Sequence, residues 1–324
     1  MPKAIRIHQA GGPEAMLLED VEVSAPGEGE VQLRHTAIGL NYIDVYDRTG
    51  LYPMPLPGGL GREGAGVVTA VGRKVKGFRK GDRVAYVHTS PGSYCEVRNL
   101  PASRLVKLPR SVSDAQAAAL MLKGLTAEYL LRRTCSVQRG DWILVHAAVG
   151  GVGLILCQWA KSLGARVIGV VGSEAKAVLA KKNGCKHVLV MGRDKLVESV
   201  KVITKGAGVR VVYDSVGKDT FMDSLDCLAP LGMMVTYGNA SGPPPAISPL
   251  ELSKRGSLFL TRPSLFAYIA KRDDLDTAAK ALFAALSSKK FKLHIGQCYA
   301  LAEAAQAHRD LEARKTTGST VLIP

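Results

Sequence analysis

Hydrophobic residues along this chain follow two rhythms, and one gives way to the other near residue 113. Up to that point the apolar positions fall in short runs, several with period-two alternation: KAIRIHQ, VQLRHTAIGL, GAGVVTAVG, DRVAYV, SYCEVRNL and LVKLP, separated by Gly, Pro and Asp. Side chains on a strand alternate between faces, so this rhythm predicts a mostly antiparallel β domain. The segment DAQAAALMLKGLTAEYLLRR then places Ala and Leu at helical spacing. Beyond it strands and helices alternate. Strands are expected at 142–146, 166–171, 187–190, 209–213, 232–237 and 257–260, with helices from about 152 and at 174–183, 194–204 and 219–228. Six strands joined by crossover helices specify a doubly wound parallel sheet in an α/β fold. After Arg262 come an Ala-rich helix (DDLDTAAKALFAALSS), the short segment KLHIGQCYA, a second helix (LAEAAQAHRDLEA) and a strand, STVLIP. That tail is too short for a core of its own, so it belongs with the N-terminal part. The expected organisation is residues 1–125 plus 263–324 as one domain, with the α/β domain of 126–262 inserted into it.

The first strand of the α/β domain carries the most informative text, WILVHAAVGGVG, from Trp142 to Gly153. A continuous apolar run suits a central parallel strand covered on both faces. It breaks into glycines and restarts as the helix LILCQWAKSLGA, which stops at Gly164. The spacing Ala147, Gly150, Gly153 is a shifted form of the G-x-G-x-x-G dinucleotide fingerprint, in the strand-turn-helix order that a Rossmann domain requires. Bare glycines let the backbone approach a pyrophosphate, and the free N–H groups of the helix N-terminus hold its charge. The second strand, ARVIGVV, then decides which nucleotide. An NAD site places an acid at its tip to bind the ribose 2′-hydroxyl, whereas here the tip reads Gly172, Ser173, Glu174, Ala175, Lys176. Ser173 and Lys176 suit a 2′-phosphate, and Arg193 is a further candidate cation. Glu174 is the counter-indication, because a carboxylate there serves a hydroxyl or repels a phosphate.

Composition narrows the class. The 324 residues carry a formal net charge of +15, and residues 126–262 hold +8 of it, from 18 basic and 10 acidic side chains. Such a field favours anionic partners, a phosphorylated cofactor or a nucleic acid among them. No apolar run is long enough to span a membrane, and neither end reads as a targeting signal, so a cytoplasmic protein is expected. Six cysteines are scattered without a C-x-x-C pair or a Cys/His cluster, which reads as reduced, buried thiols.

Several motifs taken together resemble one family. NYIDVYDRTGLYP, LKGLTAEYLL, HAAVGGVG, VVYDSVG, GNASG, SLFLTRPSL and GSTVLIP are similar to the zinc-free, ζ-crystallin-like NADPH:quinone oxidoreductases of the medium-chain dehydrogenase/reductase superfamily. Zinc alcohol dehydrogenases of that superfamily have a cysteine where this chain has Asn41 and a histidine where it has Arg62. A guanidinium cannot ligate zinc, so no metal is expected. The resemblance implies a GroES-like β domain around the Rossmann insertion, NADPH as cofactor, and no flavin. It further implies Asn41 and Tyr46 near the nicotinamide, Thr126 beside its ribose or amide, and Gly150, Gly151 and Val152 at the pyrophosphate. Gly172, Ser173 and Lys176 would take the 2′-phosphate end. Ser215, Gly238, Asn239 and Ser241 would form strand-end loops over the ribose and nicotinamide, with Arg314 closing the cleft. Met191 stands where family members carry a tyrosine, and a thioether cannot hydrogen-bond a phosphate, which weakens the expected NADPH preference.

Hydride transfer to an electrophilic quinone needs proximity and alignment more than a dedicated acid. The expected reaction is therefore NADPH-dependent reduction of a quinone or α,β-unsaturated carbonyl in a metal-free cleft, with Tyr46 or Tyr52 orienting the acceptor oxygen. Asp44 is expected as a structural cap or ion-pair partner. The alternative, binding of RNA or single-stranded nucleic acid by the basic α/β domain, lacks an aromatic stacking platform, with only 6% aromatic residues. The apolar edge strand SLFLT at 257–261 is an aggregation hazard unless covered, so a homodimer through it is expected.

Overall fold

The computed structural model describes residues 1–324, and its contacts divide into two compact units. One comprises Met1–Leu125, Ile269–Phe283 and Leu293–Pro324; the other comprises Thr126–Tyr268 and Ala284–Lys292.

In chain order the first unit begins with β1 (Lys3–Ile7), β2 (Leu17–Asp20), β3 (Glu30–Leu40), α1 (Tyr42–Thr49), β4 (Gly58–Gly59), β5 (Glu63–Val71), β6 (Arg83–Val87), β7 (Val97–Pro101), β8 (Leu105–Lys107) and α2 (Asp114–Tyr129), which runs on into the second unit. The second unit continues with β9 (Trp142–Val145), α3 (Gly151–Ser162), β10 (Arg166–Val171), α4 (Glu174–Lys182), β11 (Cys185–Val190), α5 (Leu196–Thr204), β12 (Val209–Asp214), α6 (Phe221–Asp226), β13 (Leu228–Thr236), α7 (Leu250–Lys254), β14 (Phe259–Thr261) and α8 (Leu265–Tyr268). The chain closes with α9 (Arg272–Ser287), β15 (Ile295–Ala300), α10 (Ala304–Glu312) and β16 (Ser319–Ile323).

The second unit is an all-parallel sheet in the order β11-β10-β9-β12-β13-β14. Numbered within the unit this is 3-2-1-4-5-6, the doubly wound order with its topological switch between β9 and β12. The reason lies in the sequence: Leu144, Ile168, Val170, Val212 and Met234 point from the strands into one core, which Val200, Phe221 and Leu225 close from the helices. The first unit is mostly antiparallel, with β15-β16-β3-β5-β6-β8 as its main sheet and β7 also on β3. Its core is built from alternate residues, as period two demands: Val31 and Leu33 on β3, Val84 and Tyr86 on β6.

Several elements differ from the hydrophobic rhythm. The segment after Asn41 is a helix, α1, because Asn41 caps its start and Gly50, at φ 79°, ends it. The segment KLHIGQCYA is the strand β15, paired with β16. β13 begins at Leu228, where a helix end was expected, because Leu228 pairs with Val209. No helix is long and apolar enough to cross a membrane.

Candidate nucleotide site

In the second unit β9 stops at Val145 and the chain turns sharply before α3. Ala147, in the first glycine position of the fingerprint, has φ 48°. A left-handed alanine is strained, and here its carbonyl closes the turn by accepting the Gly150 N–H at 2.8 Å. Gly153 is obligatory: a Cβ there would sit 2.2 Å from the Ala147 oxygen. Gly150 is the N-cap of α3. Helix geometry leaves the N–H groups of Gly151 and Val152 without acceptors in the helix, so they and the dipole offer an anion site.

At the tip of β10, Ser173 is the N-cap of α4 and accepts from the Lys176 N–H at 3.4 Å. Nothing lies within 4 Å of a Cβ placed on Gly172, so this tip is open. Glu174 pairs with Arg193, whose guanidinium also takes Asp194. The acid that argued against a 2′-phosphate is therefore partly neutralised, and the cation that argued for one is shared between two carboxylates. Met191 stands just past β11 and is exposed.

The loops after β12 and β13 pack against one another. The Ser215 carbonyl accepts the Ala240 N–H, and a Cβ on Gly238 would lie 2.5 Å from that same oxygen. Ser241 spends its hydroxyl inside these loops, donating to the Val216 carbonyl at 2.9 Å and accepting the Asp219 N–H at 3.0 Å. Asp214, buried at the end of β12, anchors them through the Val216 and Gly217 N–H groups and the Thr220 and Ser224 hydroxyls. Gly150, Gly151, Val152, Gly172, Ser173, Lys176, Ser215, Gly238, Asn239 and Ser241 thus all gather at the carboxyl edge of one parallel sheet, with Thr126 buried on α2. That edge is where open α/β sheets bind nucleotides.

In the first unit the side chain of Asn41 donates to Glu63 at 2.8 Å, and its backbone N–H to Asp44 at 2.9 Å. Tyr46 is buried between Tyr42 and Tyr52, with ring centroids 5.5 and 5.2 Å away. Arg314 has φ 58° and lies close enough to Tyr42 to bear on its phenol. Asp44 is fully buried with Oδ1 unpaired, and burial pushes its carboxyl up to about 7. Its Oδ2 accepts from Tyr94, whose hydroxyl also meets His308, and His308 in turn meets Arg48.

Two families match parts of the chain: an alcohol dehydrogenase GroES-like domain over residues 27–131 and a zinc-binding dehydrogenase over residues 151–283. A quinone oxidoreductase from Pseudomonas aeruginosa is 49% identical over the full length of both proteins. The chain belongs to the quinone oxidoreductase family. A 2-haloacrylate reductase from a Burkholderia species is 46% identical to this oxidoreductase, covering 100% of it and 99% of the relative. A crystal structure of Escherichia coli quinone oxidoreductase complexed with NADPH superposes with a TM-score of 0.97 at 47% identity, covering 99% of this chain and 100% of that one.

The two positions where zinc dehydrogenases hold their ligands have other work in this oxidoreductase. Asn41 is tied to Glu63, and Arg62 makes a bidentate pair with the buried Asp47, both bonds 2.7 Å. No group of three or more His, Cys, Asp or Glu side chains is placed to hold a metal ion. The partners of these residues escaped sequence reasoning. Lys123, a single cation in the apolar helical text MLKGLTAEYLL, was the available signal, since a buried lysine demands a counter-ion.

Proposed function

We propose that this oxidoreductase uses NADPH to reduce quinones or related α,β-unsaturated carbonyl compounds. The carrying observation is the glycine turn from Ala147 to Gly153 at the switch point of the sheet, where a Cβ on Gly153 would strike the Ala147 carbonyl and the N-terminus of α3 begins. Family membership supplies the reaction class. When bound, the dihydronicotinamide supplies the hydride. The chain's part is to hold and orient. Gly150, Gly151 and Val152 receive the pyrophosphate; Gly172, Ser173 and Lys176 receive the 2′-phosphate; Thr126, Ser215, Gly238, Asn239 and Ser241 enclose the ribose and nicotinamide. Asn41 and Tyr46 contact the nicotinamide, Arg314 covers it, and Tyr46 or Tyr52 orients the acceptor oxygen. The related 2-haloacrylate reductase supports the wider carbonyl range.

The protein works as a cytoplasmic homodimer joined through β14 in this proposal. Phe259 and Leu260 are 58% and 39% exposed on that edge, which supports a covered strand. No observation favours the nucleic-acid reading. Trp142, a natural stacking ring, carries Arg166 and Lys186 at 5.5 Å from its centroid, so the protein's own cations already occupy it.

Steady-state oxidation of NADPH and NADH against a benzoquinone, a naphthoquinone, an enone and an alcohol tests the reading. Turnover with the quinones and enone, and none with the alcohol, is expected. Lys176→Ala should raise KM for NADPH about tenfold and leave NADH unchanged, the weight of one charge-assisted hydrogen bond. Alcohol turnover, or equal KM changes for both cofactors, overturns the assignment.

A further inference from the structure

Glu63 is wholly buried and accepts three bonds in a space that the chain has cleared for it. The Asn41 side-chain nitrogen lies 2.8 Å away, the Lys123 ammonium 2.9 Å and the Leu122 N–H 2.5 Å. Lys123, also buried, gives a further bond to the Leu40 carbonyl at 3.0 Å. Gly39 makes the room: a Cβ there would stand 2.3 Å from the Glu63 carboxylate and 2.1 Å from the Ala118 carbonyl. An ion pair taken out of water repays its desolvation only when its geometry is good and further hydrogen bonds satisfy the remaining donors and lone pairs.

A carboxylate is an acceptor at both oxygens, so Asn41 can face it only with its nitrogen. The second N–H of that nitrogen goes to the Gly39 carbonyl at 3.4 Å. Both side-chain donors of Asn41 are therefore spent inside the protein. An unconstrained asparagine flips between two nearly isosteric orientations, one offering a donor and the other an acceptor.

We propose that Glu63 and Lys123 are positioning residues that lock the Asn41 carboxamide with its nitrogen inward, so that its oxygen, which already faces the Asp44 N–H in the cap of α1, offers the nicotinamide its second lone pair and no donor. The matching group on the cofactor is the NH2 of its carboxamide. This rests on the placement of Asn41 at the nicotinamide proposed above. Lys123 pairs with Glu63 at 2.9 Å, and a carboxylate facing Asn41 forbids the flip. A glutamine at 63 has a donor end, so it removes the prohibition while keeping the shape.

The test compares Kd for NADPH with Kd for its reduced 3-acetylpyridine analogue, in which a methyl group replaces the carboxamide NH2. Asn41→Ala, the charge-free double variant Glu63→Gln/Lys123→Met, and the triple variant are measured alongside wild type. Melting temperatures are recorded for each. Wild type should prefer NADPH about threefold to tenfold, the range of one neutral hydrogen bond. Asn41→Ala and the double variant should each lose that preference, and the triple variant should lose no more, because the pair acts through Asn41. Glu63→Asp retains both charges but withdraws the carboxylate by one methylene, and it should lose part of the preference if the double variant fails to fold. A wild-type ratio in the double variant or in Glu63→Asp overturns the proposal. So does a further loss when the pair is changed in the Asn41→Ala background. An unchanged ratio in Asn41→Ala alone overturns the contact with the nicotinamide, and the pair's role with it.

Discussion

Glycines that look alike in the text differ by what a methyl group would meet. Gly153 faces the Ala147 carbonyl, so Gly153→Ala requires the turn to open or α3 to retreat, a cost of about 1–3 kcal/mol. Gly172 meets nothing within 4 Å and has no left-handed φ, so Gly172→Ala should leave the melting temperature within a degree or two. Calorimetry of the two variants checks the contrast, and NADPH titration should show weakened binding for Gly153→Ala. The fingerprint spacing exposed Gly153 as special without structural help. It could not show that Ala147 adopts a left-handed φ, because alanine carries no conformational warning of the kind glycine does. Nor could it pair Glu63 with Lys123 or Asp47 with Arg62. Such partners are chosen by which strand and helix faces meet, and that information is spread over the whole chain.

At the scale of elements, rhythm carried most of the reading. The parallel strands were legible because burial on both faces forces continuous apolar runs. α1 escaped because one amphipathic helix of two turns inside a run of strands adds little to the pattern, although Asn41 and Asp44 already spell a helix start. β2 and β4 escaped because they are short and half-exposed. β14 has only three residues, pairs with β13 on one side and presents Phe259 and Leu260 outward. If a twofold partner covers it, Leu260→Lys should turn the homodimer into monomers by burying an unpaired ammonium at the contact. Sedimentation equilibrium reads this directly: wild type at one-subunit mass would dispose of the dimer.

For the whole molecule the ionisable groups in the first unit make stability depend on pH in a way composition conceals. Burial lowers both His35 and His308 to about 3 and raises Asp44 to about 7. Between about pH 4 and 6.5 the unfolded chain protonates two imidazoles that the folded chain keeps neutral, so acid favours unfolding. Over the same range the folded chain keeps the Asp44 proton that the unfolded chain has released, so acid favours folding through that group. His88, also lowered by burial, adds to the two, so the imidazoles outweigh Asp44 and stability should fall as pH drops from 6.5 to 4. Asp44→Asn deletes the opposing contribution. Its melting temperature should therefore fall more steeply with acid than that of wild type, and exceed it at pH 8, where the buried carboxylate is ionised. Scanning calorimetry from pH 4.5 to 8.5 separates these outcomes, and parallel curves would remove Asp44 from the account.

Local and periodic features were determined by the sequence alone. Strand and helix rhythm, the glycine turn, the tip from Gly172 to Lys176, and the replacement of zinc ligands by Asn41 and Arg62 each depend on residues close in the chain or on one residue's chemistry. Tertiary structure decided everything that depends on which distant groups share a buried space. Glu63 reaches Lys123 across 60 residues and Arg48 reaches His308 across 260. A buried charge must find a partner, but packing alone selects which one, and here that selection sets which atom Asn41 turns outward.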